Sequence, residues 1–429
     1  MDRLARCESP AITARRARAG ESRGVGKDPI VWARAAGANV WDVDDNRYVD
    51  LTAAFGVALI GHGHPDVRAA VHAQTDVLLH GMGDVYPNGP RIALMAELAR
   101  RSPGGALTQC ILASGGAEAV EAALKTATMA ARRIASDRIG VLAFWGSYHG
   151  LSYGALAATA YKGDFRRPFA GQLGTHVRHL PYGADLELIE AFIRGPATGG
   201  EAIGTILVEP IQGRGGEVVP PAGWLAGLRA LADRHRLVLV FDEIYTGFGR
   251  TGDWWAGDHD GVVPDVVAVG KALGGGLPIG ACLARPEVMQ AWGQSEGEAI
   301  HTSTFLGNPL TAAASLAALG AMDALDVPAR ARAFEAAARA FFEPRGFVVR
   351  GRGAMLGLEL GSAGAAARVT GHLLKAGYLA LPSGVAGDIL GLTPPVVLTE
   401  IQRDAAFHAI ALAIEQDRHD RAERMGARA

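Results

Sequence analysis

The sequence predicts an α/β fold: a large domain with a mostly parallel central sheet, then a smaller α+β domain. Three observations carry that prediction. Between about residues 107 and 280, short apolar runs alternate with stretches of helical periodicity. The runs are continuously apolar and not alternating, as strands covered on both faces must be. Past about residue 310, the pattern changes to long Ala- and Leu-rich helices followed by short strands.

The elements follow in order. The first 27 residues hold Arg3, Arg6, Arg15, Arg16, Arg18 and Arg23 but no apolar stretch, which argues against a secretory signal. Asp2, Glu8 and Glu21 weigh against a transit peptide, leaving a partly ordered arm. Val40–Val43 and Arg47–Leu51 read as strands around a tight turn at Asp44-Asp45-Asn46. Gly61-His62-Gly63-His64-Pro65 resembles a dinucleotide turn only superficially, because Asp66 stands where the third glycine would be. Helices are expected over 66–80, 89–101, 117–135, 185–194 and 222–235. Strands are expected at 109–113, 139–144, 205–208, 237–241 and 262–269. The C-terminal part should hold helices at 310–325, 328–342, 364–376 and 399–417, with strands at 346–350, 354–360 and 378–382. Domain boundaries are expected near 65 and 310, with residues 1–65 joining the smaller domain 311–429.

Composition excludes several function classes. A hydrophobic content of 49%, a charged content of 20% and a net charge of −2 fit a globular chain and not a nucleic-acid binder. No apolar run approaches the roughly 18–20 residues of a membrane span. Cys7, Cys110 and Cys282 are too few and too scattered for a disulfide framework, so a cytoplasmic setting is expected. His62 and His64 have no carboxylate or cysteine partner nearby in sequence, and no metal is expected.

The chemistry gathers where strands end, the place where ligands bind in such sheets. Asp265 to Gly280 contains a buried-strand pattern that stops at Gly270 and then presents Lys271 before a glycine-rich loop. The chain has only five lysines among its 42 Lys and Arg residues. A primary amine can lose its proton and form a Schiff base, which a guanidinium cannot; the bland alternative is a lysine snorkelling to solvent. Ala113 to Ala119 joins a strand to a helix through Gly115 and Gly116, whose free N–H groups suit a phosphate. Phe144 to Gly150 places Tyr148 and His149 past another strand, where either ring can stack on a planar group or simply fill a seam. Asp242, ending the apolar run Leu237–Phe241, needs a partner: a ring nitrogen, a metal or an arginine. A phosphate turn, a stacking aromatic, a buried carboxylate and a lysine together describe a pyridoxal phosphate site.

These residues resemble the class III aminotransferases, the ω-amino type of fold type I pyridoxal-phosphate enzyme. The resemblance runs from about residue 30 to 417. It rests on Trp41 to Asp50, Ser114 to Glu121, Ser147-Tyr-His-Gly150, Val208 to Gly213, Phe241 to Gly252, Gly270-Lys271 and His301 to Pro309. It implies amino-group transfer between an amine or ω-amino compound and a keto acid or aldehyde. A glutamate-semialdehyde-like aminomutase or a racemase on the same fold is the alternative. Lys271 would form the Schiff base with pyridoxal 5′-phosphate and shuttle the proton, and Asp242 would pair with the pyridinium nitrogen. Ile244 and Tyr148 would sandwich the ring, Gly116 and Ala117 would hold the phosphate, and Glu209 would stand near the ring. Thr304 would reach the phosphate of a neighbouring subunit, which implies a homodimer with shared sites.

Departures from the family pattern fall at the substrate end, where Phe55, Arg214 and Tyr245 are the candidate contacts. Ornithine- and GABA-type members commonly carry Glu after Gln-Gly and Arg just before the C-terminal Pro-Pro-Leu. Here those positions read Arg214 and Gly391. Tyr245 replaces the family's common Gln. Arg214 is therefore expected to take over carboxylate recognition, unless one substrate lacks an α-carboxylate; the bland reading is a salt bridge to a surface carboxylate.

Overall fold

The computed structural model describes residues 2–14, 30–195, 202–294 and 296–426. Of the N-terminal arm, Asp2–Cys7 is helical, while Arg15, Arg16, Arg18, Arg23 and Glu21 lie outside the described residues.

Three sheets organise the chain. β1 (Trp32–Ala36), β2 (Asn39–Asp42) and β3 (Arg47–Asp50) form an antiparallel meander. Its tight turn is closed by Asp42, whose Oδ1 accepts from the N–H groups of Asp44 (3.0 Å) and Asn46 (2.9 Å).

The central sheet holds β4 (Gln109–Ala113), β5 (Gly140–Phe144), β6 (Val177–Leu180), β7 (Ile203–Val208), β8 (Val238–Asp242), β9 (Val266–Val269) and β10 (Gly280–Ala284), in the spatial order β4-β10-β9-β8-β7-β5-β6. The pairs from β6 to β9 are parallel; β10 runs antiparallel to both β9 and β4. The reversal follows from chain length. Residues 270–279 contain no crossover helix, and a parallel return needs a dozen or more residues. Every residue of β5, β7, β8, β9 and β10 is buried. Alternate side chains enter two cores: Leu142, Ile206, Leu239 and Val267 face one, and Val141, Leu207, Val240 and Ala268 the other. The second core is thin because the helix Gly116–Arg132 presents Ala119, Ala122, Ala123 and Ala127 to the sheet.

The C-terminal sheet consists of β11 (Val349–Arg352), β12 (Met355–Glu359), β14 (Leu381–Ser383) and β15 (Ile389–Leu392), while β13 (Tyr378–Leu379) pairs in parallel with β3. Phe342, Leu356, Leu390, Phe407 and Ile410 make its core.

The differences from expectation have local causes. Pro264 stops the run 262–269 from pairing along its length, so the strand begins only at Val266. The helix expected to reach residue 80 ends at Thr75, whereas the last helix continues to Gly426. β6 carries Arg178 and His179 on a half-buried sheet edge and lacks the apolar signature. The strand around Gly391 was not anticipated either, because glycine gives no β signal. Among the described residues, no single helix is long and apolar enough to cross a membrane.

Candidate active site

Because β4, β5, β7, β8 and β9 run in one direction, their carboxyl ends deliver side chains to one edge of the sheet. β9 is followed by Gly270 and then by Lys271, which opens a single 3₁₀ turn, Lys271–Gly274. Lys271 sits at φ 40°, a left-handed conformation that costs a non-glycine residue about 1 kcal/mol or more. Its Nζ lies 3.5 Å from the centroid of the Tyr245 ring. Burial lowers its pKa to about 8; the Asp242 and Glu209 charges oppose the shift, while Arg250 and Arg214 add to it.

Asp242 closes β8 and is buried. Its Oδ1 accepts from the Ile244 N–H at 3.0 Å, and its Oδ2 faces the Nδ1 of His149 at 2.7 Å. This corrects the stacking role considered for His149. The ring is fully buried against Asp242, whereas Tyr148, beside it in the pocket lining, is only half-buried. Burial works against a charged His149, but the Asp242 hydrogen bond and charge, aided by Glu209, hold its pKa above the ordinary value. Its Nε2 is buried with no hydrogen-bond partner among the described residues. Glu209 accepts the Tyr148 N–H (3.1 Å) and the Gly213 N–H (3.3 Å), and burial pushes its carboxyl to about 7.

The opposite wall is the start of the helix Gly116–Arg132. Its N-cap, Gly115, supplies no side-chain hydrogen bond, so the first N–H groups stay open to a ligand. Gly116 packs closely here, since a Cβ would stand 3.1 Å from Ile244 Cγ2. A cavity of about 300 Å³ lies between these walls, lined by Gly116, Ala117, Tyr148, Asp242, Ile244 and Lys271 among others. A planar, phosphate-bearing aldehyde fits this donor set. Open N–H groups stand at one end, an aliphatic and an aromatic side chain flank the cavity, a buried carboxylate ends the strand, and a desolvated amine is present.

A family model described as "Aminotransferase class-III" matches residues 21–414. The chain belongs to the class III aminotransferases. It is 38% identical over 389 residues to the acetylornithine aminotransferase of Methanopyrus kandleri, covering 90% of this chain and 94% of that one. It is 39% identical over 388 residues to that of Myxococcus xanthus, covering 88% and 91%. Among solved structures, it is similar to the ornithine aminotransferase of Toxoplasma gondii (TM-score 0.83, 29% identity, 92% and 91% covered). It is also similar to an amine transaminase from an uncultivated Pseudomonas species in its PLP-bound form (TM-score 0.84, 28% identity, 91% and 95% covered). The fold is fold type I, and pyridoxal 5′-phosphate is the cofactor of this aminotransferase.

In the aminotransferase pocket, the guanidinium of Arg214 lies 4.5 Å from the Tyr148 ring centroid and 5.0 Å from that of Tyr161. Tyr161 is fixed by its hydroxyl, which donates to Gly384 O (3.0 Å). Tyr245 lines the same pocket and donates to Thr393 Oγ1 (3.0 Å). Two expected contacts stand apart from it. Phe55 is 64% exposed in a left-handed segment that brings Gly56 against the Tyr245 ring, and Thr304 is exposed in the turn before the helix Pro309–Ala324. Neither lines the pocket of this single chain. His62 of the entry segment is held by Asp50 Oδ2 at 2.8 Å.

Two buried groups lie inside the motif Phe241 to Gly252, but the sequence assigned neither a role. Arg250 is 1% exposed and donates to Gly56 O, Ala354 O, Thr393 O and Pro394 O, tying the Tyr245 loop to both ends of the chain. Glu243, beside Asp242, accepts from the Thr246 hydroxyl and from the Ala256 and Gly257 N–H groups, and so holds the loop rather than the ligand.

Proposed function

We propose that Lys271 is the amine that takes and returns the cofactor's aldehyde carbon, and that Arg214 receives the substrate carboxylate during transfer from an amine or ω-amino compound to a keto acid or aldehyde. The observation that carries this reading is the Lys271 amine, desolvated to a pKa of about 8 and aimed across the cavity that Asp242, Tyr148 and Arg214 share. When bound, pyridoxal 5′-phosphate supplies an electron sink that acidifies the carbon bearing the amine.

The residues divide the remaining work. A lysine with a pKa near 8 is partly neutral at neutral pH, so it can accept a proton from that carbon and return it on the other side of the transfer. Asp242, buried and hydrogen-bonded to His149, would hold a proton on a ring nitrogen. Gly116 and Ala117 offer N–H groups to the phosphate, and Tyr148 and Ile244 flank the ring. Glu209 stands behind Tyr148. Arg214, kept over two tyrosine faces, offers a planar fork to a carboxylate. Thr304, exposed and outside the pocket of its own chain, is assigned to the phosphate of a second copy, which makes the working unit a homodimer. Residues 66–310 would be the cofactor-binding body and 311–429 the smaller domain, in a cytoplasmic enzyme without a metal.

The test reduces the holoenzyme with borohydride and maps the labelled peptide, while ω-amino acids, diamines and amino sugars are screened against pyruvate and 2-oxoglutarate. The label is expected on Lys271, and Lys271→Ala should keep the cofactor yet give neither label nor turnover. Normal turnover by that variant would sink the assignment.

A further inference from the structure

The Lys271 amine rests on an aromatic face. Its Nζ lies over the Tyr245 ring, 3.5 Å from the centroid, and both side chains line the cavity shared by Asp242 and Arg214. Among the described residues the amine makes no hydrogen bond or ion pair. The tyrosine face is what holds it.

The ring is fixed from three directions. Its hydroxyl donates to Thr393 Oγ1 (3.0 Å), and the Thr393 hydroxyl donates in turn to Thr52 O (3.2 Å). Its two edges run against glycines: a Cβ on Gly56 would collide with Cε2, and one on Gly213 would stand 2.5 Å from Cδ1. Strained backbone stands on both sides of the contact. Ala53, Ala54 and Phe55, which deliver Gly56, have φ of 45°, 48° and 64°, and Lys271 itself has φ 40°. Side chains other than glycine rarely adopt that region, and such strain clusters at functional sites.

The hydroxyl is engaged by Thr393, and burial keeps it protonated, so Tyr245 offers the amine its ring face alone. A π face favours an ammonium over a neutral amine, most of all where water is excluded. The charged groups around the amine divide. Burial disfavours the ammonium most, Asp242 and Glu209 favour it, and Arg250 and Arg214 disfavour it.

We propose that Tyr245 is a positioning residue for Lys271, its ring face being the site where the ammonium rests whenever the amine is not joined to the cofactor. The inference rests on the role given to Lys271 above. On that face the amine keeps the proton taken from the substrate carbon until it returns the proton on the other side of the transfer. The clamped ring also sets the direction from which the amine comes back.

The test changes the charge of the ring at nearly constant shape. The series is wild type, Tyr245→Phe, and phenylalanines at position 245 carrying one, two and three ring fluorines, which withdraw electron density from the face; Tyr245→Leu removes the face altogether. On the cofactor-free full chain, acetylation of Lys271 by acetic anhydride is followed against pH by mass spectrometry of its peptide, which reads the neutral fraction of the amine. Tyr245→Phe is expected to keep the wild-type midpoint. Fluorination should lower it step by step, by about one pH unit in all, and Tyr245→Leu by as much. In the amine-loaded holoenzyme, where Lys271 is free, the acid limb of kcat/KM for the keto acid should move the same way. Tyr245→Leu should also lose about 10- to 100-fold in kcat, because the amine is no longer aimed. A midpoint that stays constant along the fluorinated series overturns the proposal, and that series keeps the shape on which folding depends. A fall in Tyr245→Phe as large as in Tyr245→Leu overturns it as well, by assigning the effect to the hydroxyl. Failure of the Lys271 reading shows separately, as normal turnover by Lys271→Ala.

Discussion

His149 holds Asp242 from behind: its Nδ1 stands 2.7 Å from Oδ2, and both side chains are almost completely shut off from solvent. The contact fixes the rotamer of the carboxylate that ends β8. It acts as a positioning contact, because the His149 side chain is itself fully buried against Oδ2. His149→Ala is expected to lower kcat about tenfold or more while cofactor remains bound. Wild-type kcat, together with an unshifted cofactor absorption band, would count against this role.

Arg214 should govern carboxylate affinity and not chemistry. Arg214→Gln keeps the stem over Tyr148 and Tyr161 but removes the charge and the fork. KM for the keto acid is expected to rise about 10- to 100-fold with kcat changed much less, since the guanidinium grips bound substrate before and during transfer alike. A fall in kcat with unchanged KM would instead place Arg214 at the reacting carbon.

Glu217, buried in the turn between Gln212 and Val218, predicts the pH dependence of stability. Burial lifts its carboxyl from 4.5 to about 8, against the Ser383 hydrogen bond and the Arg350 charge. Tyr245 and Tyr161, whose hydroxyls are raised in part by the Glu217 charge, are the other titratable groups coupled to it. Between pH 4.5 and 8 the folded chain binds a proton that the unfolded chain has released, so this group's contribution to stability falls as pH rises through that window. Glu217→Gln should flatten the decline in denaturation midpoint between pH 5 and 8. An unchanged slope would show the carboxyl to be ionised throughout.

Arg250 makes a testable claim on stability. Removing a buried guanidinium that satisfies four carbonyls leaves each of them unpaired. Arg250→Leu is expected to cost about 3 kcal/mol or more, read as a fall in urea midpoint of the cofactor-free protein. A loss under about 1 kcal/mol would mean that water replaces the contacts.

Most of the sheet and the lysine were legible because continuous apolar runs and a strand-end amine leave local signatures. Lys271, Asp242 and Tyr148 could be set together from sequence, since parallel strands must deliver their carboxyl ends to one edge, whereas Arg214 joined them only through the family resemblance. What escaped depended on long-range geometry. The antiparallel β10 follows from a connection too short for a crossover, and its residues look no different from those of β9. The burial of His149 follows from its contact with Asp242, 93 residues away in sequence. Glu217 looked like any loop glutamate, because the residues against its carboxyl, Gly357 and Gly391, are defined by having no side chain.

The four carbonyls on Arg250 have a consequence for biosynthesis. Gly56 leaves the ribosome first, Ala354 nearly three hundred residues later, and Pro394 later still. The floor under Tyr245 therefore cannot be completed during most of translation, and a nascent chain that already carries Lys271 and Asp242 still lacks the residues that close their pocket. Closure of that pocket waits until Thr393 and Pro394 have been made, more than a hundred residues after Lys271.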